Sequence, residues 1–307
     1  MALAAGLFTV LAVAASSAGW WVLAALPLAG VLAWAAGAPS VPRGRAGAVL
    51  TTARQWCLLV LCATVPAAYL VPGATSVSAV NVGYAVVALA VPLVASVADA
   101  LGASLPERMP RWAVAVGLGL AAAFAAVCVA IAPATPTWTS AEPPSAFGPL
   151  VAVVLVLPLF SDLRAARLVA GVMTSSVVLA AALHQVGPIR FGLSPTSLRD
   201  VLVAADASAL VTMLVVIAVV VGGLGALRYV GRLRKTGERI TGRTGWSGLA
   251  VGAVAAACVA AAVLGPVLAA QLAGVVTLAD VAHRLVRRDR GERTSGRHPG
   301  GEEEHQE

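Results

Sequence analysis

Apolar residues in this chain come in runs longer than a soluble helix or strand can use, separated by short stretches rich in arginine, proline or both. The run 201–227, for example, carries one charged residue, Asp206. Runs of this length bury themselves in lipid, where every backbone donor and acceptor must be paired within the segment, so helices are the default. They are too long and alternate too poorly for the strands of a membrane barrel. Composition agrees: 59% of the 307 residues are hydrophobic and 11% charged, against about half and a quarter in soluble domains. A soluble enzyme is excluded, and the net charge of +7 says little about nucleic acid, which is not an expected partner.

The breaks divide the chain into ten expected spans: 2–17, 19–37, 46–71, 76–100, 112–134, 147–161, 165–186, 201–227, 246–264 and 266–286. Ser16-Ser17-Ala18-Gly19 predicts a tight turn between the first two. Pro39 to Arg45, Pro72-Gly73, Pro106 to Arg111 and the stretch 135–146 cannot stay in hydrocarbon, because proline removes a donor and arginine needs water or a partner. Gly265-Pro266 leaves open whether 246–286 is two spans or one kinked segment. The tail 287–307 is polar and reads as a disordered cytoplasmic tail.

Alternating the spans places 19 of the 21 Lys and Arg residues on one side, and only Arg190 and Arg199 on the other. By the positive-inside rule both termini lie in the cytoplasm of a multi-pass cell-membrane protein. A cleaved leader over residues 1–15 is the lesser alternative, because no Lys or Arg precedes that run.

The chemistry of an enzyme is missing. No metalloprotease, nucleophile-elbow or phosphate-loop motif occurs, and no cofactor or metal is expected. Cys57, Cys62, Cys128 and Cys258 fall inside spans without metal-like spacing and read as packing residues. Three aspartates draw attention, because an ionisable group inside a span is costly. Asp99 and Asp280 are expected at an interface or paired with arginine. Asp206, about two turns inside the eighth span, is either a water-facing residue or a bundle-facing carboxylate that meets a substrate ammonium or another cation. The first and sixth spans are the shortest, and Pro149 and Pro158 interrupt the sixth. Short or broken spans at matching places in two halves mark substrate sites in inverted-repeat transporters.

Several stretches resemble a known family. Ala4-Ala5-Gly6-Leu7-Phe8-Thr9-Val10, then Ala18-Gly19-Trp20-Trp21 and Leu28-Ala29-Gly30, look like the first two helices of the amino acid–polyamine–organocation permeases. The stretch from Arg164-Ala165-Ala166-Arg167 to residue 228 is similar to that family's sixth-to-eighth-helix region. The resemblance implies an all-α membrane fold with a five-plus-five inverted repeat of the leucine-transporter type. It implies transport of a small organic solute, an amino acid or an amine, by alternating access, with no cofactor. Substrate would meet backbone groups near Ala4, Ala5 and Gly6, and the stretch around Pro158 and Phe160, with Asp206 as a further polar contributor. This chain departs from the family in having Ala4 where the first glycine of the motif stands, and Leu157-Pro158-Leu159-Phe160-Ser161-Asp162-Leu163 in place of a longer sixth helix. The alternative is a short, degenerate permease relic, or a membrane scaffold that does not transport and binds a partner protein or lipid headgroups through a basic 228–243 loop.

Overall fold

The structure, a computed structural model, describes residues 6–37, 45–71, 81–103, 105, 111–131, 147–163, 165–242 and 245–295. Among these every regular element is helical: α1 Val10–Ala18, α2 Val22–Ala35, α3 Arg45–Leu70, α4 Val82–Ala100, α5 Arg111–Ala130, α6 Gly148–Phe160, α7 Ala165–Gly192, α8 Ser197–Ala204, α9 Ala209–Thr241, α10 Gly248–Val263 and α11 Pro266–Ser295. Most of the proline- and arginine-rich breaks at 39–45, 72–73, 106–111 and 135–146 lie outside the described residues.

Six stretches are long and apolar enough to cross a membrane: Val10–Ala35, Ala46–Leu70, Val82–Ala100, Ala166–Gly192, Ala209–Thr241 and Pro266–Arg288. By length and composition the chain is therefore a multi-pass helical membrane protein. Residues 115–130, 148–160 and 248–263 form shorter apolar helices. The outward faces fit a lipid solvent: Val86, Leu93, Val94 and Val97 on α4, and Met213, Val216 and Val220 on α9, are all exposed.

Val10–Ala35 is one stretch by composition but two helices by geometry. Gly19 sits at φ +57, joined to α2 by a single 3-10 turn over Gly19–Trp21. A side chain is disfavoured in that left-handed region, and glycine is not. Side-chain and backbone contacts show the chain doubling back. A Cβ at Gly6 would touch Leu159 near the end of α6, and one at Gly148, where α6 starts, would touch the Ser17 carbonyl. The Ala35 carbonyl in turn accepts a hydrogen bond from Arg288, which lies one turn beyond Arg284 at the same arginine-rich end. Both ends of the α1–α2 pair thus meet one end of the bundle.

The helices pack as two groups. α1 and α2 lie against α6 and α7; α3 and α4 lie against α9 and α10; α11 touches both α3 and α6, and α5 packs on α7. Small residues set the closest crossings. Gly222 and Gly225 of α9 face Cys62 and Pro66 of α3 so closely that any Cβ would overlap them, the close approach by which membrane helices associate.

Three expectations change. The eighth span does not run as one helix over 201–227. α8 stops at Ala204 and α9 begins at Ala209, with Asp206 at φ +50 in the intervening turn. The basic segment 228–243 is no loop, because α9 continues to Thr241 and ends at Gly242 with φ +67. Thr236 and Thr241 bond back to carbonyls four residues earlier, and no proline interrupts the helix before Gly242. The tail is helical as far as Ser295, since no proline follows Pro266 before Pro299. Further on, α7 is interrupted at Gly187, φ +74, just before Pro188. At Leu264, extended at ψ 130, the chain leaves α10 and enters α11 at Pro266.

Candidate functional site

Two places concentrate polar groups inside the bundle. The first is the start of the first helix. Residues 6–7 are helical, Phe8 and Thr9 form a turn, and the helix resumes at Val10. Thr9 leaves helical geometry at φ −132, and its N–H bonds three residues back to the Gly6 carbonyl at 3.2 Å. A break of this kind releases backbone groups from their i to i−4 partners. Here it is enclosed. Phe8 and Thr9 are buried, and the Tyr69 hydroxyl of α3 donates to the Phe8 carbonyl at 3.0 Å. The Phe8 ring stands edge-on to Tyr69, 5.4 Å between centroids. The Thr9 hydroxyl is buried without a hydrogen-bond partner among the described residues. So is that of Thr277 on α11, a helix that packs against α1. A buried hydroxyl left unpaired costs about 1–3 kcal/mol, which marks it as a group suited to an incoming polar ligand.

The expected site residues separate when placed in the fold. Ala4 and Ala5 lie outside the described residues. Gly6 is buried, and its missing side chain makes room for Leu159 of α6. Pro158 and Phe160 are buried apolar residues of α6. Pro158 acts through the backbone: lacking an N–H, it cannot bond the Val154 carbonyl one turn back. Gly274 of α11 closes over that oxygen, where a Cβ would lie 2.8 Å away. Asp206 does not join them. It is exposed on the α8–α9 turn, which is the water-facing of the two arrangements expected for it and not the bundle-facing carboxylate. The helix that would have turned it inward ends two residues earlier.

The second place is an ion network at the arginine-rich end. Arg54 of α3 is 1% exposed. It donates to Asp162 at 3.0 Å and to the Ser161 hydroxyl at 3.1 Å, and its Nε lies 3.3 Å from Asp280 of α11. Arg232 of α9 pairs with the other Asp162 oxygen at 2.5 Å and sits over the Tyr229 ring, while Arg284 pairs with Asp280. Asp162 lies just beyond the end of α6. Burial opposes its ionisation, but the Arg54 and Arg232 guanidiniums outweigh that and hold its carboxyl well below the usual carboxylate range. A neighbouring pair, Arg234 with Asp99 at 2.7 Å, joins α9 to α4. The pairing of Asp99 and Asp280 with arginine matches the expectation.

The geometry divides the work. Arg54 and Arg232 belong to the α3–α4–α9–α10 group, and Ser161 and Asp162 to the other. The network therefore ties the two groups at one end, while Tyr69 and Phe8 tie them deeper in the bundle. Arg54, Asp162, Tyr69 and Thr9 were not singled out from the sequence. A signal for Arg54 was present, since it stands as the one charged residue in the run from Ala46 to Leu70. Tyr69 and Thr9 carried none. Among the described residues no group of three His, Cys, Asp or Glu could hold a metal ion. Neither a scan of protein-family models nor a search of curated proteins finds a match to the chain.

Proposed function

We propose that this chain is a secondary transporter of a small organic solute, an amino acid or an amine, working by alternating access across a cell membrane with both termini in the cytoplasm. The observation that carries this reading is the break in the first helix at Phe8–Thr9, where a carbonyl and an orphaned hydroxyl are buried between two helix groups. Polar groups freed by a broken helix are how such proteins hold a substrate.

The grouping of helices supports a five-plus-five inverted repeat of the leucine-transporter type. If α1–α5 form one half, and α6, α7, α9, α10 and α11 the other, then each packed group takes the equivalent pair from both halves. α1 and α6 also run antiparallel, as inversion requires. Alternating access then needs the groups to rock, and the Arg54–Asp162–Arg232 network is what must open at the cytoplasmic end. Asp162 serves as the latch, with no proton needing to move.

The test is uptake of labelled amino acids and amines into proteoliposomes. A transporter gives uptake or counterflow above empty vesicles, which falls at least about tenfold in Tyr69→Phe through loss of the bond to the Phe8 carbonyl. Absence of uptake and counterflow across a broad panel would favour the non-transporting scaffold.

A further inference from the structure

At the end of the bundle opposite the ion network, α7 and α8 border an open cavity of about 220 Å³ lined by Val186, Arg190, Leu193, Ser194, Ser197, Asp200 and Ala204. The local backbone builds it. The break at Gly187–Pro188 redirects the last turn of α7, bringing Arg190 and Leu193 round to face α8. Ser197 and Asp200, three apart in the first turns of α8, lie on one side of that helix.

The chemistry of the lining is specific. Arg190 offers a guanidinium and Asp200 a carboxylate to the same cavity, yet among the described residues neither is held in an ion pair. Ser197 is 1% exposed, and its hydroxyl is buried without a partner among the described residues. Val186, Leu193 and Ala204 supply an apolar wall. Charge placement makes Arg190 unusual as well, because it is one of only two basic residues on its side of the expected topology, against nineteen on the other. An arginine kept where the positive-inside tendency disfavours it calls for a local reason.

We infer that this cavity binds a small zwitterion of the α-amino-acid class. The carboxylate pairs with Arg190, the ammonium with Asp200, Ser197 donates to the carboxylate, and a short side chain rests on Val186, Leu193 and Ala204. A simple cation meets repulsion from Arg190, and a simple anion meets it from Asp200. The volume lies below the roughly 300–1,000 Å³ of sites for drug-sized ligands, which suits a small solute. By the topology above this is the outer face, where Gly192 beside the cavity packs on Ser16 of α1. The site requires binding only, so it goes beyond the transport reading and can stand without it.

The experiment is calorimetric titration of the full chain in lipid nanodiscs with each standard L-amino acid, up to about 10 mM. The tightest binder is then compared with its decarboxylated amine and its deaminated acid. The amino acid is expected to bind, and each analogue about tenfold or more weaker. Arg190→Gln and Asp200→Asn should each weaken it by about tenfold or more, and Ser197→Ala by a few-fold. Both charged residues are exposed, so gel filtration of the variants should match the parent. Tyr69→Phe should leave this binding intact even where it abolishes uptake, which separates failure of this site from failure of the transport reading. The inference is overturned if no amino acid binds, if the amine or acid binds as well as the zwitterion, or if binding survives Arg190→Gln and Asp200→Asn while Tyr69→Phe removes it.

Discussion

Asp162 shows how one residue can decide the stability of a membrane bundle. It receives Arg54 on one oxygen and Arg232 on the other, and Arg54 has almost no access to water. Removing one partner of a buried pair strands the other charge, at a cost of about 3–5 kcal/mol. Asp162→Asn should therefore lower the thermal midpoint in detergent sharply, while Glu238→Gln, in the half-exposed pair with Arg234, should cost less than about 1 kcal/mol. The pH dependence follows from the direction of the shift. The folded carboxyl titrates below its unfolded value of about 3.9, so its contribution is complete above that value and is lost as pH falls through the folded value. The thermal midpoint should stay level from about pH 8 to 5 in this respect and drop below about 4. In Asp162→Asn that acid drop should shrink, and an undiminished one would place the acid-sensitive group elsewhere. The partners of Asp99 and Asp280 were legible in kind, because an aspartate near an arginine-rich boundary has few other options. Asp162 was not legible, because its importance comes from an arginine 108 positions away, a relation that no local pattern records.

Helix crossings rest on absent side chains. At α9 on α3, a Cβ on Gly222 would lie 2.3 Å from Pro66 Cγ and 2.8 Å from the Cys62 carbonyl oxygen. Neither atom can move without the α3 backbone moving too. Gly222→Leu should thus force the helices apart and destabilise the protein by about 1–3 kcal/mol or more. Gly223→Leu, next along the helix with open space around it, should be tolerated. Unfolding of the two variants in parallel is the check, and equal stability would remove the crossing as the cause. The same reasoning applies to Gly274 over the carbonyl that Pro158 leaves without its helical bond. Apolar run length and breakers located the helical stretches well, since both follow from local backbone chemistry. The ends were harder. α9 outlasts its apolar run by more than a dozen residues because charged residues leaving a membrane do not stop a helix. α8 separates from α9 within a stretch of Ala, Asp and Ser that carries neither proline nor glycine.

The topology of the whole molecule turns on its first 42 residues, which contain no Lys or Arg. The charge asymmetry is therefore the same whether that stretch crosses once or doubles back; only the side of its beginning changes. Composition does not decide either, because Val10–Ala35 is long and apolar enough for a single crossing. The decision lies in tertiary packing: Gly6 beside Leu159, Ser17 beside Gly148 and Ala35 bonded to Arg288 require a hairpin turning at Gly19. No periodicity could show this, since the partners lie more than a hundred residues away. The two arrangements differ in where Trp21 sits. In a single crossing it lies near the middle of the span, in hydrocarbon. In the hairpin it stands at the turn, with 56% of its surface exposed. Trp21→Cys should therefore react with a membrane-impermeant maleimide added from outside intact cells. The parent should show little reaction, because Cys57, Cys62 and Cys128 are buried and Cys258 is half-buried in α10. A second cysteine at Gly37 should react only after the membrane is opened, because the hairpin returns that residue to the arginine-rich end. If Trp21→Cys stays silent while Gly37→Cys labels from the inside, the hairpin is wrong, and with it the pairing of α1 and α6 on which the inverted repeat depends.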